Sequence, residues 1–442
     1  MNDKKTTSTL GMPLKRRDLI LFVLLTLVAL AEYSLVRNYY AENISPYFPR
    51  MWDQTATYHH VYQAHYLIRD HGLPAALAPG GPLADLSFKS TLVPVTGTIL
   101  TFLFGPDRFS VGLVNFLVFI LAQVLIAGTL YRIRGGQAAA LGWGLFLLAQ
   151  SHWINGLFDL RFDYAGLLAF GLAWVAMTTY LARPERKNLV FVCLALGFCA
   201  GSRSISLVYS VATAGILFGG FLLIWLFSRS RGQWQDRLRS AGIVFAIALL
   251  VIVAYTASQW LSLRSYYGGQ IGTTNGDIRW AEVGANVWRD RLVWYPVNWW
   301  PHYGKIVQVS TAALVLGTVL RFVFKLLKRN PAPPATEPAT DMWPWSTRGA
   351  LVMLVAATLA VFISSPVVGP NIAVIGMLGV PTSIGLAMLV SAVTSRIGSS
   401  VLQRILVCLV LTLGAADWTL GIARGPLLGR ARWSFRRARV RR

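Results

Sequence analysis

Apolar runs of about bilayer length recur along the whole chain, and they leave few folds open. A helix needs roughly 20 apolar residues to cross the hydrocarbon core. The first run, 19–36, follows Lys15, Arg16 and Arg17 and has no small-residue cleavage site after it. It therefore reads as a retained first span entering from the cytoplasm, not as a removed signal peptide. Further runs occur at 109–130, 138–153, 164–181, 188–200, 205–227, 241–261, 307–323, 351–363, 372–390 and 401–420. A short one, 91–104, ends at Gly105-Pro106 and is expected to enter and leave on one side. The fold class that follows is an all-α polytopic membrane protein of about 11–13 transmembrane helices.

The polar residues then say which ends of these helices face where. Apolar residues make up 55% of the 442 residues and charged ones 13%, yet the net charge is +23. Arginine and lysine concentrate in short turns, at 132–134, 183–187, 229–239 and 325–329. Such turns mark cytoplasmic connections and contacts with anionic lipids, not a nucleic-acid surface. The last 21 residues carry eight arginines and no acid. Three or four crossings separate this tail from the proline-rich stretch 330–340, and its charge favours the even, cytoplasmic ending. The three cysteines, Cys193, Cys199 and Cys408, all lie in apolar runs and form no metal spacing or disulfide framework.

This divides the chain into a module at 1–326, a cytoplasmic proline-rich linker at 327–348, C-terminal helices at 349–421 and a basic tail at 422–442. The first module includes external loops at 37–90 and 262–305. From 351 onward the only carboxylate side chain is Asp417, so that part reads as scaffold.

Chemistry concentrates in the two long loops and the short polar turns on their side. The stretch 45–70 holds Asp53 between Trp52 and Gln54, together with three histidines and four tyrosines, Tyr58 among them. Its middle, 57–69, reads as a short helix on the membrane surface. Asp159, Arg161 and Asp163 stand before the run that starts at Tyr164, where Asp163 is placed to favour a helix N-terminus. Arg203 lies in a Gly-Ser-Arg-Ser hairpin tip, and Lys89 closes the first loop. Cations of this kind suit a phosphate that takes on charge as it leaves, and a carboxylate suits the proton of an acceptor hydroxyl. Trp280, Trp288 and His302 of the second loop are candidates for substrate contact, beside the alternative of an interfacial aromatic belt. Asp53 with His59 offers a divalent-metal alternative, although the spacing matches no metal signature.

At these residues the chain resembles the GT-C class of integral-membrane glycosyltransferases, particularly bacterial relatives of protein O-mannosyltransferases and of the lipid A aminoarabinose transferase. The resemblance rests on Trp52-Asp53-Gln54 through Tyr58, Lys89 to Pro94, Asp163 to Phe170 and Arg203, with Gln54 where the family usually has a second acid. It implies inverting transfer of a sugar from a polyprenyl-phosphate donor to a lipid, glycan or protein acceptor on the external face of a bacterial inner membrane. Asp53 would be the general base, and Lys89 and Arg203 would lie near the phosphate. Two other readings stand beside it. One is a polytopic lipid or glycan transporter or flippase. The other is a polyprenyl-diphosphate-dependent glycan ligase or polymerase, to which Arg264, Arg279, Arg289 and Arg291 would contribute.

Overall fold

A computed structural model describes residues 16–43, 52–83, 91–150, 162–228, 231–261, 263–264, 280–285, 287–327, 343–367, 372–394 and 400–424. The principal helices are α1 (Arg16–Asn43), α2 (Trp52–His71), α3 (Leu73–Leu77), α4 (Leu92–Phe104), α5 (Arg108–Arg134), α6 (Gly136–Gln150) and α7 (Phe162–Ala182). They continue with α8 (Arg186–Ser202), α9 (Ser204–Phe227), α10 (Arg231–Ser258), α11 (Trp288–Leu327), α12 (Thr347–Ser364), α13 (Gly379–Thr394) and α14 (Ser400–Arg424). Eight described helices are long and apolar enough to cross a membrane, and 92–104, 136–148 and 303–319 are shorter apolar helices. The architecture is thus an all-helical polytopic membrane bundle. The run expected at 188–200 forms α8 but is not among these apolar spans.

Side-chain contacts fix the direction of each helix. In the pair α9 and α10, Gly215 faces Phe245 while Gly242 faces Phe218, so the two run antiparallel. Asp107 caps α5 by accepting the Ser110 amide at 2.6 Å, and the α4–α5 turn passes through Gly105 at φ 96°, a conformation that costs glycine little. This hairpin brings Gly97 against Val111, so α4 runs antiparallel to α5 and ends where α5 starts.

The opposite end gathers basic side chains. Arg132 and Arg134 lie in the last turn of α5, and Arg134 donates to the Trp345 carbonyl at 3.3 Å. The Arg237 guanidinium stands 4.9 Å from the ring centres of both Trp234 and Trp343. The segment just before α12 is consequently docked on this basic end, although it was expected to belong wholly to a linker.

Two expectations about loops change. Residues 52–71 form one continuous helix, longer than the 57–69 expected, so Asp53 belongs to a first helical turn. An acidic residue there meets the positive end of the helix dipole. Residues 288–305 are likewise helical, although Pro296 and Pro301 argue against it. Tertiary contacts outweigh the prolines. Tyr295, Trp299 and Tyr303 recur every four residues and so share a face. Tyr295 Oη donates to the Ser365 carbonyl, Trp299 packs edge-on to Phe362, and Tyr303 Oη donates to the Ile375 and Gly376 carbonyls.

Those tyrosines also satisfy irregular backbone buried between α12 and α13, where 365–367 and 372–378 are 3₁₀ turns. Beyond it, Gly166 and Gly171 of α7 meet Met377 and Val380 in the same order, which runs α13 from the α7 start towards the basic end. The α14 helix then returns, packed so closely on α6 that Gly414 lies against the backbone of Gly144. Small residues permit this approach.

One polar contact crosses the bundle interior. Glu32, 2% exposed on α1, accepts from Gln123 Nε2 at 2.9 Å, and Gln123 Oε1 accepts from Trp143 Nε1 at 2.5 Å. The α1 helix is otherwise mostly lipid-facing, with 17% of its span buried. Replacing Gln123 by leucine strands both neighbours, each at a cost of about 1–3 kcal/mol. The expected outcome is a lower thermal midpoint in detergent; an unchanged midpoint would remove this contact from the forces holding α1.

Candidate functional site

The candidate site is built at the end opposite the basic turns, where four chain segments meet. Val61 of α2 packs on Gly97 of α4, and His65 Nδ1 is 3.0 Å from Thr101 Oγ1. Both contacts advance by four residues on each helix, so α2 and α4 run in the same direction. The first turn of α2, with Asp53, is therefore at the same end as the first turn of α4. Just ahead of α4, the Thr91 amide donates to the Gly201 carbonyl at 2.9 Å. That bond joins the exit of the first polar stretch to the hairpin carrying Arg203.

Arg203 is the break between α8 and α9. Its backbone is extended, at φ −160° and ψ 115°, and its side chain is half-buried. A Cβ on Gly166 would stand 3.1 Å from Arg203 Cβ and 3.2 Å from its Cγ, so the arginine stem lies directly on α7. Asp163 is three residues before Gly166, on the same helix face. The segments bearing Asp53, Thr91, Asp163 and Arg203 accordingly converge at one end of the bundle.

Several sequence candidates fall outside the described residues: Lys89, Asp159 and Arg161 entirely, and Asp53, Gln54, Asp163 and His302 in their side chains. Lys89 is two residues before Thr91 in the chain. Tyr58 is buried and stacked on Tyr62, with ring centres 6.1 Å apart. Trp280 does not offer a free ring. It is 2% exposed, edge-on to Trp294 and Tyr295, with the Arg291 guanidinium 5.6 Å from its centre. Trp288, at the start of α11, is 52% exposed.

The Asp53–His59 metal alternative falls on α2, with the Asp53 side chain outside the described residues. Among the described residues no group of three His, Cys, Asp or Glu side chains could hold a metal ion.

Two residues went unnoticed in the sequence. Gly166 gives Arg203 its seat, and Met377 approaches the same glycine from the C-terminal helices. The region beyond 351 therefore contributes a wall of this end and is more than scaffold. The spacing of Gly166 from Asp163 is the one sequence signal for the first, whereas nothing local marks Met377.

His65 sets the relation between α2 and α4. The Thr101 hydroxyl donates to the Thr98 carbonyl at 2.7 Å, so it accepts from the imidazole, which must carry its proton on Nδ1. The ring also lies 4.3 Å from that of Phe102. Burial, followed by the nearby Arg69 charge, holds the His65 pKa below its ordinary value.

No protein-family profile matches the chain, and no curated protein sequence does. Among solved structures, ArnT from Cupriavidus metallidurans bound to undecaprenyl phosphate is similar with a TM-score of 0.40 and 13% identity, covering 84% of this chain and 77% of that one. The same protein in its apo state gives a TM-score of 0.39 at 13% identity, covering 86% and 77%. A match at this level assigns no activity.

Two outcomes are expected. As pH falls below about 6.5, the unfolded chain takes up a proton at His65 before the folded one does, so stability present above that pH is progressively lost. A His65→Gln variant should flatten that part of the stability-against-pH curve, and an unaltered curve would count against burial of this imidazole. Gly166→Leu should overpack Arg203 and Met377 at a cost of about 1–3 kcal/mol, read as a lower thermal midpoint than wild type.

Proposed function

We propose that the protein is a glycosyltransferase that moves a sugar from a polyprenyl phosphate to a hydroxyl of a lipid, glycan or protein acceptor, with inversion at the anomeric carbon. The Asp53 carboxylate takes the acceptor's proton while the acceptor oxygen attacks the anomeric carbon. The bond from that carbon to the phosphate oxygen breaks, and its electron pair leaves with the polyprenyl phosphate. Arg203 and Lys89 hold the departing phosphate, whose charge rises as the bond breaks. Asp163, with Asp159 and Arg161, orders the sugar or the arginine beside it. Gln54 and Tyr58, on the same helix as the base, are assigned to the substrate, while Trp288 and His302 are reserved for the acceptor side.

The Thr91–Gly201 hydrogen bond is the observation that carries this reading. It ties a segment two residues from Lys89 to one two residues from Arg203, at the end where α2 begins with Asp53. A carboxylate and two cations on segments that approach one end of an apolar bundle would suit a lipid-linked phosphate donor better than a substrate bound at mid-membrane. The basic turns at the other end support an orientation with this site outside, in a bacterial inner membrane.

The test is transfer of radiolabelled sugar from a panel of polyprenyl-phosphate sugars to membrane acceptors by the purified protein. Asp53→Asn should lower kcat by about 10²–10⁴-fold, the usual worth of a general base, with donor binding retained. Equal transfer by both proteins would remove Asp53 as the base. A wild type silent across the panel would favour transport or a diphosphate-linked donor instead.

A further inference from the structure

An ion pair stands at membrane depth on the outer surface of the bundle. Lys305 Nζ of α11 donates to Asp417 Oδ1 of α14 at 2.6 Å, and the two side chains are 43% and 25% exposed. Asp417 belongs to the apolar span Arg404–Ile422, and Lys305 to the shorter apolar helix Tyr303–Val319. Two neighbours give the depth of the pair. Tyr295, whose hydroxyl reaches the Ser365 carbonyl at the candidate-site end, precedes Lys305 by ten residues, or about 15 Å of helix. Trp418, next to Asp417, stacks at 4.6 Å on Phe119, which lies eleven residues, or about 16 Å, into α5. The α5 helix is itself about 40 Å long, so a hydrocarbon core of about 30 Å centred on it puts the pair about 10 Å inside the nearer boundary.

Lipid chains do not account for exposed charge at that depth. Ionisable groups inside a membrane face one another, the bundle interior or a water-filled cavity. Asp417 uses one oxygen on Lys305, while its Oδ2 is buried with no hydrogen-bond partner among the described residues. Gln308, three residues after Lys305 and so on the same face of α11, is exposed as well. Its amide brings donors and an acceptor that hydrocarbon cannot meet. We infer that the α11–α14 seam at Lys305, Gln308 and Asp417 is a hydrated crevice that binds water inside the membrane. Water fits because one small molecule can donate to a carboxylate oxygen and accept from an ammonium or amide. Exposed side chains farther along the two helices, Val315, Leu316, Leu409 and Leu413, are bulky. They suit lipid chains, whereas the close approach of a second copy calls for small residues. The inference rests on three side chains and their depth, and stands whether or not the protein transfers sugar.

The test places single cysteines in a chain whose Cys193, Cys199 and Cys408 are replaced by alanine. The reference position is Leu250, 69% exposed within the apolar span Trp234–Ser258 of α10. In nanodiscs, a charged methanethiosulfonate, which needs a hydrated thiolate, should label Gln308→Cys at least about tenfold faster than Leu250→Cys. Lys305→Met combined with Asp417→Leu removes both charges without stranding either, and should bring the Gln308→Cys rate down towards that of Leu250→Cys. Equal rates at the two cysteines with the ion pair intact would overturn the crevice, as would a Gln308→Cys rate indifferent to the double substitution. Slow labelling together with disulfide-linked dimers of Gln308→Cys would overturn it in favour of a second copy covering the seam.

Discussion

A hydrocarbon surrounding gives backbone amides and carbonyls no partner except each other, and the rest of this structure follows from that constraint. Where helices end or break, the exposed backbone groups are met by specific donors. The Gly201 carbonyl at the α8–α9 break takes the Thr91 amide, and the carbonyls of the 365–378 region take Tyr295 and Tyr303 hydroxyls. These are the places where the chain departs from regular helix inside the bundle, and they lie at the candidate-site end. Satisfying broken backbone and assembling a polar site are here one arrangement.

The same economy applies to side chains. Glu32 is accommodated in the first span only because Gln123 and Trp143 complete a chain of hydrogen bonds across α1, α5 and α6. Lys305 and Asp417, on α11 and α14, pair at 2.6 Å. Asp417, whose sequence context suggested scaffold, thus anchors the last helix to the one that carries the second aromatic stretch. A buried acid such as Glu32 is retained where its partners are close, since an uncompensated one is costly, whereas Lys305 and Asp417 are only partly buried.

Much of this was legible in the sequence, and for stated reasons. Apolar run length, basic turns and breaker residues predict helices and their ends because hydropathy and local chain stiffness act at short range. The hairpin at Arg203 was read from Gly201 to Ser204, and the end of the short helix 92–104 from Gly105-Pro106. Residues 288–305 were not, because prolines and aromatics say loop locally while the Tyr295, Trp299 and Tyr303 face finds its partners some 60–75 residues away. Trp280 looked like a stacking surface for the same reason: its burial depends on Trp294 and Tyr295, which a linear reading cannot bring against it.

By itself, then, the sequence determined that this is a polytopic helical protein, which turns are basic, and which carboxylates and cations stand at helix ends, since these follow from composition and period. Only the tertiary structure decided that Asp53 begins a helix parallel to α4, that Arg203 rests on Gly166 three residues from Asp163, and that Met377 reaches the same place. It also decided that α14 runs towards that end. Each of these depends on which helix packs beside which and in what direction, a choice made by contacts between residues far apart in the chain.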